Sequence, residues 1–171
     1  MSQTRRSFLG GTTLLAAGAA TGGLYLLFRP SGTASAKSSK TFEITKSETQ
    51  WKKELNASEF RVLRQAGTER AYTSPLNDEK RDGVFACRAC DLPLYESGAK
   101  YDSRTGWPSF WKPIKGAVST DTDYKLGYPR TEVVCRRCGS HLGHVFNDGP
   151  RPTGKRYCMN GIAMKFRPRK T

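Results

Sequence analysis

Val133-Val134-Cys135-Arg136-Arg137-Cys138-Gly139-Ser140-His141-Leu142-Gly143-His144-Val145-Phe146 carries three signals in one short run. The apolar pair Val133-Val134 reads as a strand. Cys135 and Cys138 bracket a tight turn that can aim two thiolates at one ion, and His141 and His144 are the only histidines of the chain. Upstream, Cys87-Arg88-Ala89-Cys90 repeats the turn, so two knuckles supply the four sulfurs of a tetrahedral zinc shell and would clip distant parts of the chain together. Four thiolates leave no open coordination position, so the expected cofactor is one structural Zn2+ rather than a water-activating metal. Disulfides within the pairs and redox-active Cys-x-x-Cys motifs are the competing readings. Against them, such a bridge closes too small a loop to add much stability, and neither pair sits in a strand-helix-strand frame.

Working outward from the knuckles, the chain from Gly83 onward consists of short apolar or alternating runs broken by Gly, Pro, Asn and Asp. Val84-Phe85-Ala86, Val133-Val134 and Ile162-Ala163-Met164-Lys165-Phe166 are the clearest, and their texture is antiparallel β. Before them, Ser47-Glu48-Thr49-Gln50 and Asn56-Ala57-Ser58-Glu59 each read as a capping box, which predicts two short helices, the second stopped by Gly67. The 171 residues, 36% hydrophobic and 26% charged, suit one compact domain of mainly β, α+β class over 47–171, with 37–46 as a polar linker.

Residues 1–36 read as an address. Thr4-Arg5-Arg6-Ser7-Phe8-Leu9 precedes a Gly/Ala/Leu stretch without an acidic side chain, and Ala34-Ser35-Ala36 offers a small-x-small cleavage site. The pattern resembles a twin-arginine export signal. It predicts an exported chain in a bacterial periplasm, or one held at the membrane by an uncleaved signal. A folded export route lets a metal enter before the chain meets an oxidising compartment.

The net charge is +14, and only Arg5, Arg6 and Arg29 of its cations lie in the leader. An exported basic zinc-ribbon binding module without catalysis is therefore the alternative function, but it leaves His144, Trp107 and Cys158 without roles. Positive charge of this kind is ordinarily solvated surface, so no nucleic-acid or stable membrane partner is expected, and a monomer is the default.

Cys158 is the cysteine left over by the zinc shell. Lys155-Arg156-Tyr157-Cys158-Met159-Asn160 reads as a strand, whose alternation would turn Arg156, Cys158 and Asn160 to one face. A neighbouring guanidinium favours a thiolate, as a nucleophilic or redox cysteine needs, while a buried structural cysteine is the plain alternative. His141 and His144 could transfer protons near neutral pH, with Asp148 orienting one ring; extra metal ligation or satisfied polar burial would account for them equally. Gly106-Trp107-Pro108-Ser109-Phe110-Trp111 is dense in aromatics, which could form ordinary core or an open apolar box for a small methyl-bearing group.

Taken together, the two Cys-x-x-Cys pairs, Gly106-Trp107-Pro108-Ser109-Phe110, His141-Leu142-Gly143-His144-Val145-Phe146, Asp148-Gly149-Pro150 and Arg156-Tyr157-Cys158-Met159-Asn160 resemble the peptide methionine-R-sulfoxide reductase B family. Trp51-Lys52-Lys53-Glu54-Leu55 and Leu63-Arg64-Gln65-Ala66-Gly67-Thr68-Glu69-Arg70 extend the resemblance, which spans about Ser47 to Arg167. It implies two antiparallel β-sheets with short N-terminal helices, and zinc far from the chemistry. The implied substrates are oxidised proteins or peptides carrying methionine-R-sulfoxide. Cys158 would attack the sulfoxide sulfur and become a sulfenic acid. Trp107, with Phe110, would receive the methyl-bearing side chain; His141 and His144 would polarise or protonate the oxygen; Asp148, Arg156 and Asn160 would support them. Many members carry a recycling cysteine immediately before Gly-Trp-Pro, where this chain has Thr105. The expectation is a one-cysteine cycle in which a thioredoxin-like protein or another external thiol reduces Cys158.

Overall fold

The computed structural model describes residues 41–170; the leader at 1–36 and the first residues of the 37–46 stretch lie outside the described residues. Helix α1 (Glu48–Glu54) and helix α2 (Ala57–Gln65) both start on the expected capping boxes. The Ser47 N–H donates to the Gln50 side chain at 2.8 Å, and the Asn56 N–H to that of Glu59 at 3.0 Å. At the far end of α2 it is Ala66, not Gly67, that takes the left-handed backbone, at φ 48°. Gly67 instead folds its N–H back to the Arg61 carbonyl at 3.0 Å, where a Cβ would lie 2.8 Å from that oxygen. Trp51, Phe60, Val62 and Leu63 form the buried faces of the two helices.

The remaining chain forms two antiparallel sheets. In the smaller, β1 (Gly83–Cys87) runs between β2 (Pro93–Glu96) and β9 (Met164–Pro168). The larger has the order β3 (Lys100–Tyr101), β4 (Ser109–Phe110), β8 (Arg156–Met159), β7 (His141–Phe146), β6 (Arg130–Cys135), β5 (Val118–Asp123). Side chains from both sheets meet in one core. Phe110 of β4 stacks on Tyr95 of β2 at 4.3 Å between centroids and meets the edge of Phe85 of β1 at 4.9 Å. The Tyr95 hydroxyl donates to the Met159 sulfur at 3.1 Å, so the ring's only polar atom is satisfied inside the core. Strand β9 begins two residues later than the apolar run from Ile162 suggests. Gly161–Ala163 form a 3-10 turn instead, because the Glu69 carboxylate accepts the N–H groups of Gly161 and Ile162.

The described part of the linker stretch, 41–46, lies against the domain. The Ile44 N–H donates to the Arg137 carbonyl at 3.0 Å, Phe42 covers Gly139, and Glu43 pairs with Arg136 and Arg137. These contacts lay the stretch against the second cysteine turn, with Glu43 paired to its two arginines while still half exposed.

The register of β6 and β7 positions everything that follows. Val133 pairs with Gly143 and Val134 with His141, so β7 advances two residues while β6 advances one, and Leu142 is the extra residue of a bulge. Here β7 comes so close to β8 that a Cβ on Gly143 would sit 2.2 Å from the Cys158 carbonyl oxygen. Only a hydrogen fits. Gly143→Ala is therefore expected to cost about 2–4 kcal/mol of stability in urea unfolding, far more than a surface exchange.

Candidate active site and metal centre

Strand β8 divides its side chains between two environments: Tyr157 and Met159 pack with the core, whereas Arg156 and Cys158 are partly exposed on the other face. Cys158 pairs across the sheet with Ser109 of β4 on one side and His144 of β7 on the other. The row continues from Ser109 to Tyr101 and from His144 to Glu132, so one line of side chains crosses five strands. In a regular strand His141 and His144, three apart, would face opposite ways. The bulge at Leu142 brings their rings together, at 5.4 Å between centroids.

Each ring has its own carboxylate. His141 Nδ1 lies 2.6 Å from Glu132 Oε1, and His144 Nε2 lies 2.8 Å from Asp123 Oδ2. A carboxylate oxygen only accepts, so His141 Nδ1 and His144 Nε2 are the nitrogens that donate to these carboxylates. His141 Nε2 is buried and has no partner among the described residues. Burial pushes the His144 pKa below the usual imidazole value, against the pull of Asp123, and so favours the neutral ring. Asp123 is itself held down to about 2, first by the Lys125 N–H and then by His144 and Arg130.

Asp148, expected to orient a histidine, does something else. It forms a two-pronged pair with Arg156 at 2.8 and 2.9 Å, and that guanidinium lies 4.3 Å over the Phe146 ring. The arginine beside Cys158 is thus fixed in place by a carboxylate and a ring. Asn160 does not share the Cys158 surface: it is buried at the start of the next turn. Its side chain donates to the Leu142 carbonyl at 3.1 Å and accepts the Glu69 N–H at 2.9 Å. Trp107 is partly exposed and is pinned by its indole N–H to the Glu69 carbonyl at 3.1 Å. Phe110, offered above as part of an apolar substrate box, is fully buried on the face opposite Cys158 and belongs to the core.

Several residues escaped sequence reasoning. Glu132, Asp123 and Arg130 reach the histidines only through the register of β5, β6 and β7, which no local motif encodes. Glu69 lies outside the site but joins it: its N–H, carbonyl and carboxylate bind Asn160, Trp107 and the 161–162 backbone, and burial pushes its carboxyl pKa up. The alternating polar spacing Ser103-x-Thr105 was the one local hint of the hydroxyls that approach Cys158; Thr105 Oγ1 stands 3.7 Å from its sulfur.

The four paired cysteines converge. Their sulfurs all lie within 4.8 Å of one another, with Cys87 to Cys138 at 3.8 Å and Cys90 to Cys135 at 3.5 Å. A zinc ion with bonds of about 2.3 Å demands a tetrahedral edge of about 3.8 Å, close to these separations, so the donor set suits the ion. Three of the four are buried, and thiolates so placed repel one another unless a cation sits among them. No other group of His, Cys, Asp or Glu among the described residues forms such a cluster. The centre ties the turn after β1 to the turn after β6, one from each sheet. Neither histidine belongs to this cluster.

Comparison with known proteins agrees with this arrangement. The SelR domain model matches residues 55–168. A peptide methionine sulfoxide reductase MsrB of Leptospira interrogans is 51% identical over 126 residues, covering 73% of this chain and 96% of that protein. One from Leifsonia xyli is 54% identical over 129 residues, covering 74% and 93%. The chloroplastic peptide methionine sulfoxide reductase B1 of Arabidopsis thaliana is 52% identical over 121 residues, 70% of this chain and 60% of that one. The chain belongs to the SelR-domain family and is a methionine sulfoxide reductase of the B class.

Proposed function

We propose that this protein reduces methionine-R-sulfoxide in oxidised proteins and peptides outside the cytoplasm, with Cys158 as the reacting sulfur. The observation that carries the reading is the row across the larger sheet, in which Cys158 faces His144 directly, with His141 alongside and its Nε2 unengaged. The Cys158 sulfur attacks the sulfoxide sulfur. The transient bond between the two sulfurs and the substrate's sulfur-oxygen bond both break as the oxygen passes to Cys158, and the products are the thioether and a cysteine sulfenic acid. The thiol proton ends on that oxygen by way of an imidazole. Glu132 accepts from His141 Nδ1, so a proton taken up at Nε2 meets no competing acceptor among the described residues. Trp107, anchored through Glu69, offers an apolar face for the substrate's methyl group.

Recycling calls for an external thiol. With four cysteines gathered at the metal centre, Cys158 has the Thr105 hydroxyl rather than a second thiol beside it. One thiol of a thioredoxin-like or other reductant condenses with the sulfenic acid and releases water; a second thiol frees Cys158 and leaves the reductant as a disulfide. The metal we assign to the four cysteines is one zinc ion. It would supply cross-linking of the two sheets and take no part in the redox step. The Arg5-Arg6 leader supports delivery to the periplasm by twin-arginine export, with cleavage after Ala36 or retention of the leader as an anchor.

Single-turnover mass spectrometry of the reduced protein with separated epimers of a methionine-sulfoxide peptide tests the chemistry. Oxygen loss is expected from the R epimer alone, with one trapped sulfenate on Cys158, no disulfide from Cys158 to another cysteine of the chain, and no turnover in Cys158→Ser. Reduction of neither epimer would refute the assignment. Metal analysis should find one zinc per chain, and a strong chelator should lower the melting temperature while releasing it. Stability should also depend on His144. Its folded pKa is depressed, so its contribution is complete above about pH 6.5 and is lost as pH falls toward the folded value. His144→Asn should flatten that part of a urea-stability profile between pH 7 and 5.

A further inference from the structure

Beside the Cys158 sulfur lies a chain of hydroxyls that the proposed reaction does not use. Thr105 Oγ1 is 3.7 Å from Sγ, Ser103 Oγ is 2.8 Å from Thr105 Oγ1, Ser109 Oγ is 2.7 Å from Ser103 Oγ, and Ser109 also reaches the Trp107 carbonyl at 3.2 Å. Ser109 is fully buried. Each hydroxyl has one proton to give, so the chain can be ordered in only two ways. With Cys158 as a thiol, S–H donates to Thr105, Thr105 to Ser103, Ser103 to Ser109, and Ser109 to the Trp107 carbonyl. With Cys158 as a thiolate the sulfur has nothing to donate, and keeping the first order would leave the anion facing an oxygen lone pair. Rotation of the three hydroxyls reverses the chain: Ser109 donates to Ser103, Ser103 to Thr105, and Thr105 to the sulfur. No covalent bond changes, and the Trp107 carbonyl is released.

We propose that Thr105 is the hydrogen-bond donor to the anionic sulfur of Cys158, delivered by reversal of the Ser109-Ser103-Thr105 hydroxyl chain. The inference deepens the reading of Cys158 as the reacting sulfur and rests on it. The ionisable groups that face the sulfur are His144 from β7, Arg156 with its partner Asp148 along β8, and Tyr101 from β3. His144 stands on the β7 side and Arg156 along β8, whereas Thr105 belongs to the loop between β3 and β4, the side on which Tyr101 also lies, and its hydroxyl is 3.7 Å from the sulfur. A hydroxyl at this position therefore serves the thiolate from a side that the histidines and the arginine leave uncovered.

The test is the rate at which iodoacetamide alkylates Cys158 in the full, metal-loaded chain, followed by mass spectrometry of the peptide containing Cys158 between pH 5 and 9. Thr105→Val keeps the shape and removes the donor; it should slow alkylation at pH 7 about fivefold and displace the rate profile to higher pH. Thr105→Ala, which leaves space instead of a methyl, should behave alike, while Thr105→Ser restores the wild-type profile. Wild-type rates in Thr105→Val and Thr105→Ala, or a Thr105→Ser profile as displaced as theirs, would overturn the proposal. Alkylation needs no sulfoxide, so this outcome is read independently of whether the chain reduces one.

Discussion

At Gly143 a hydrogen stands where any other residue would place a carbon 2.2 Å from the Cys158 carbonyl oxygen, and the arrangement of the larger sheet hangs on that contact. It lets β7 keep its pairing with β8 through the bulge at Leu142. The bulge in turn folds two histidines, three residues apart, onto one side of the strand. From there the register assigns Glu132 to His141 and Asp123 to His144. A strand without the extra residue would send one ring into the core, where Leu142 now lies, and would leave a buried imidazole without a partner.

The opposite face of the same strands explains why the site can be polar at little cost to folding. Tyr157, Met159, Phe110 and Val133 meet Phe85 and Tyr95 of the smaller sheet, and this packing secures the strands from behind. The cysteine turns bring four sulfurs from the two sheets together at another place. The zinc ion proposed for them would restrict the unfolded ensemble much as a long-range covalent bridge does.

Much of this was legible in the sequence because its signals are local. Both capping boxes, the knuckles, and the strand from Arg156 to Met159 each depend on residues within a few positions of one another. The carboxylates at Glu132 and Asp123 were not legible, since they meet the histidines through a register that spans three strands. Asp148 was misplaced for the related reason that the nearest acid in sequence is not the nearest in space; its partner is Arg156, beyond the loop. The stretch 41–46 is polar enough to read as a linker, yet it is held by a main-chain bond to Arg137 and by Glu43 against two arginines, partners that lie far along the chain. Phe110 was read from its aromatic neighbours, but strand alternation next to Ser109 turned it inward.

Glu69 behaves as a three-way joint. Its N–H is fastened to Asn160, its carbonyl to the Trp107 indole, and its carboxylate to the backbone at 161 and 162. Asn160 and the turn behind it follow Cys158 by two residues along the chain, so the indole and the Cys158 sulfur are fastened to the same short piece of backbone through one residue. The gap between ring and sulfur is thereby a machined clearance, held to tolerance by directional bonds instead of by how well soft side chains happen to fill space. On the role proposed for Trp107 and Cys158, a substitution at position 69 that left the protein folded would change the calibre of the gap, and with it the size of the side chain admitted there.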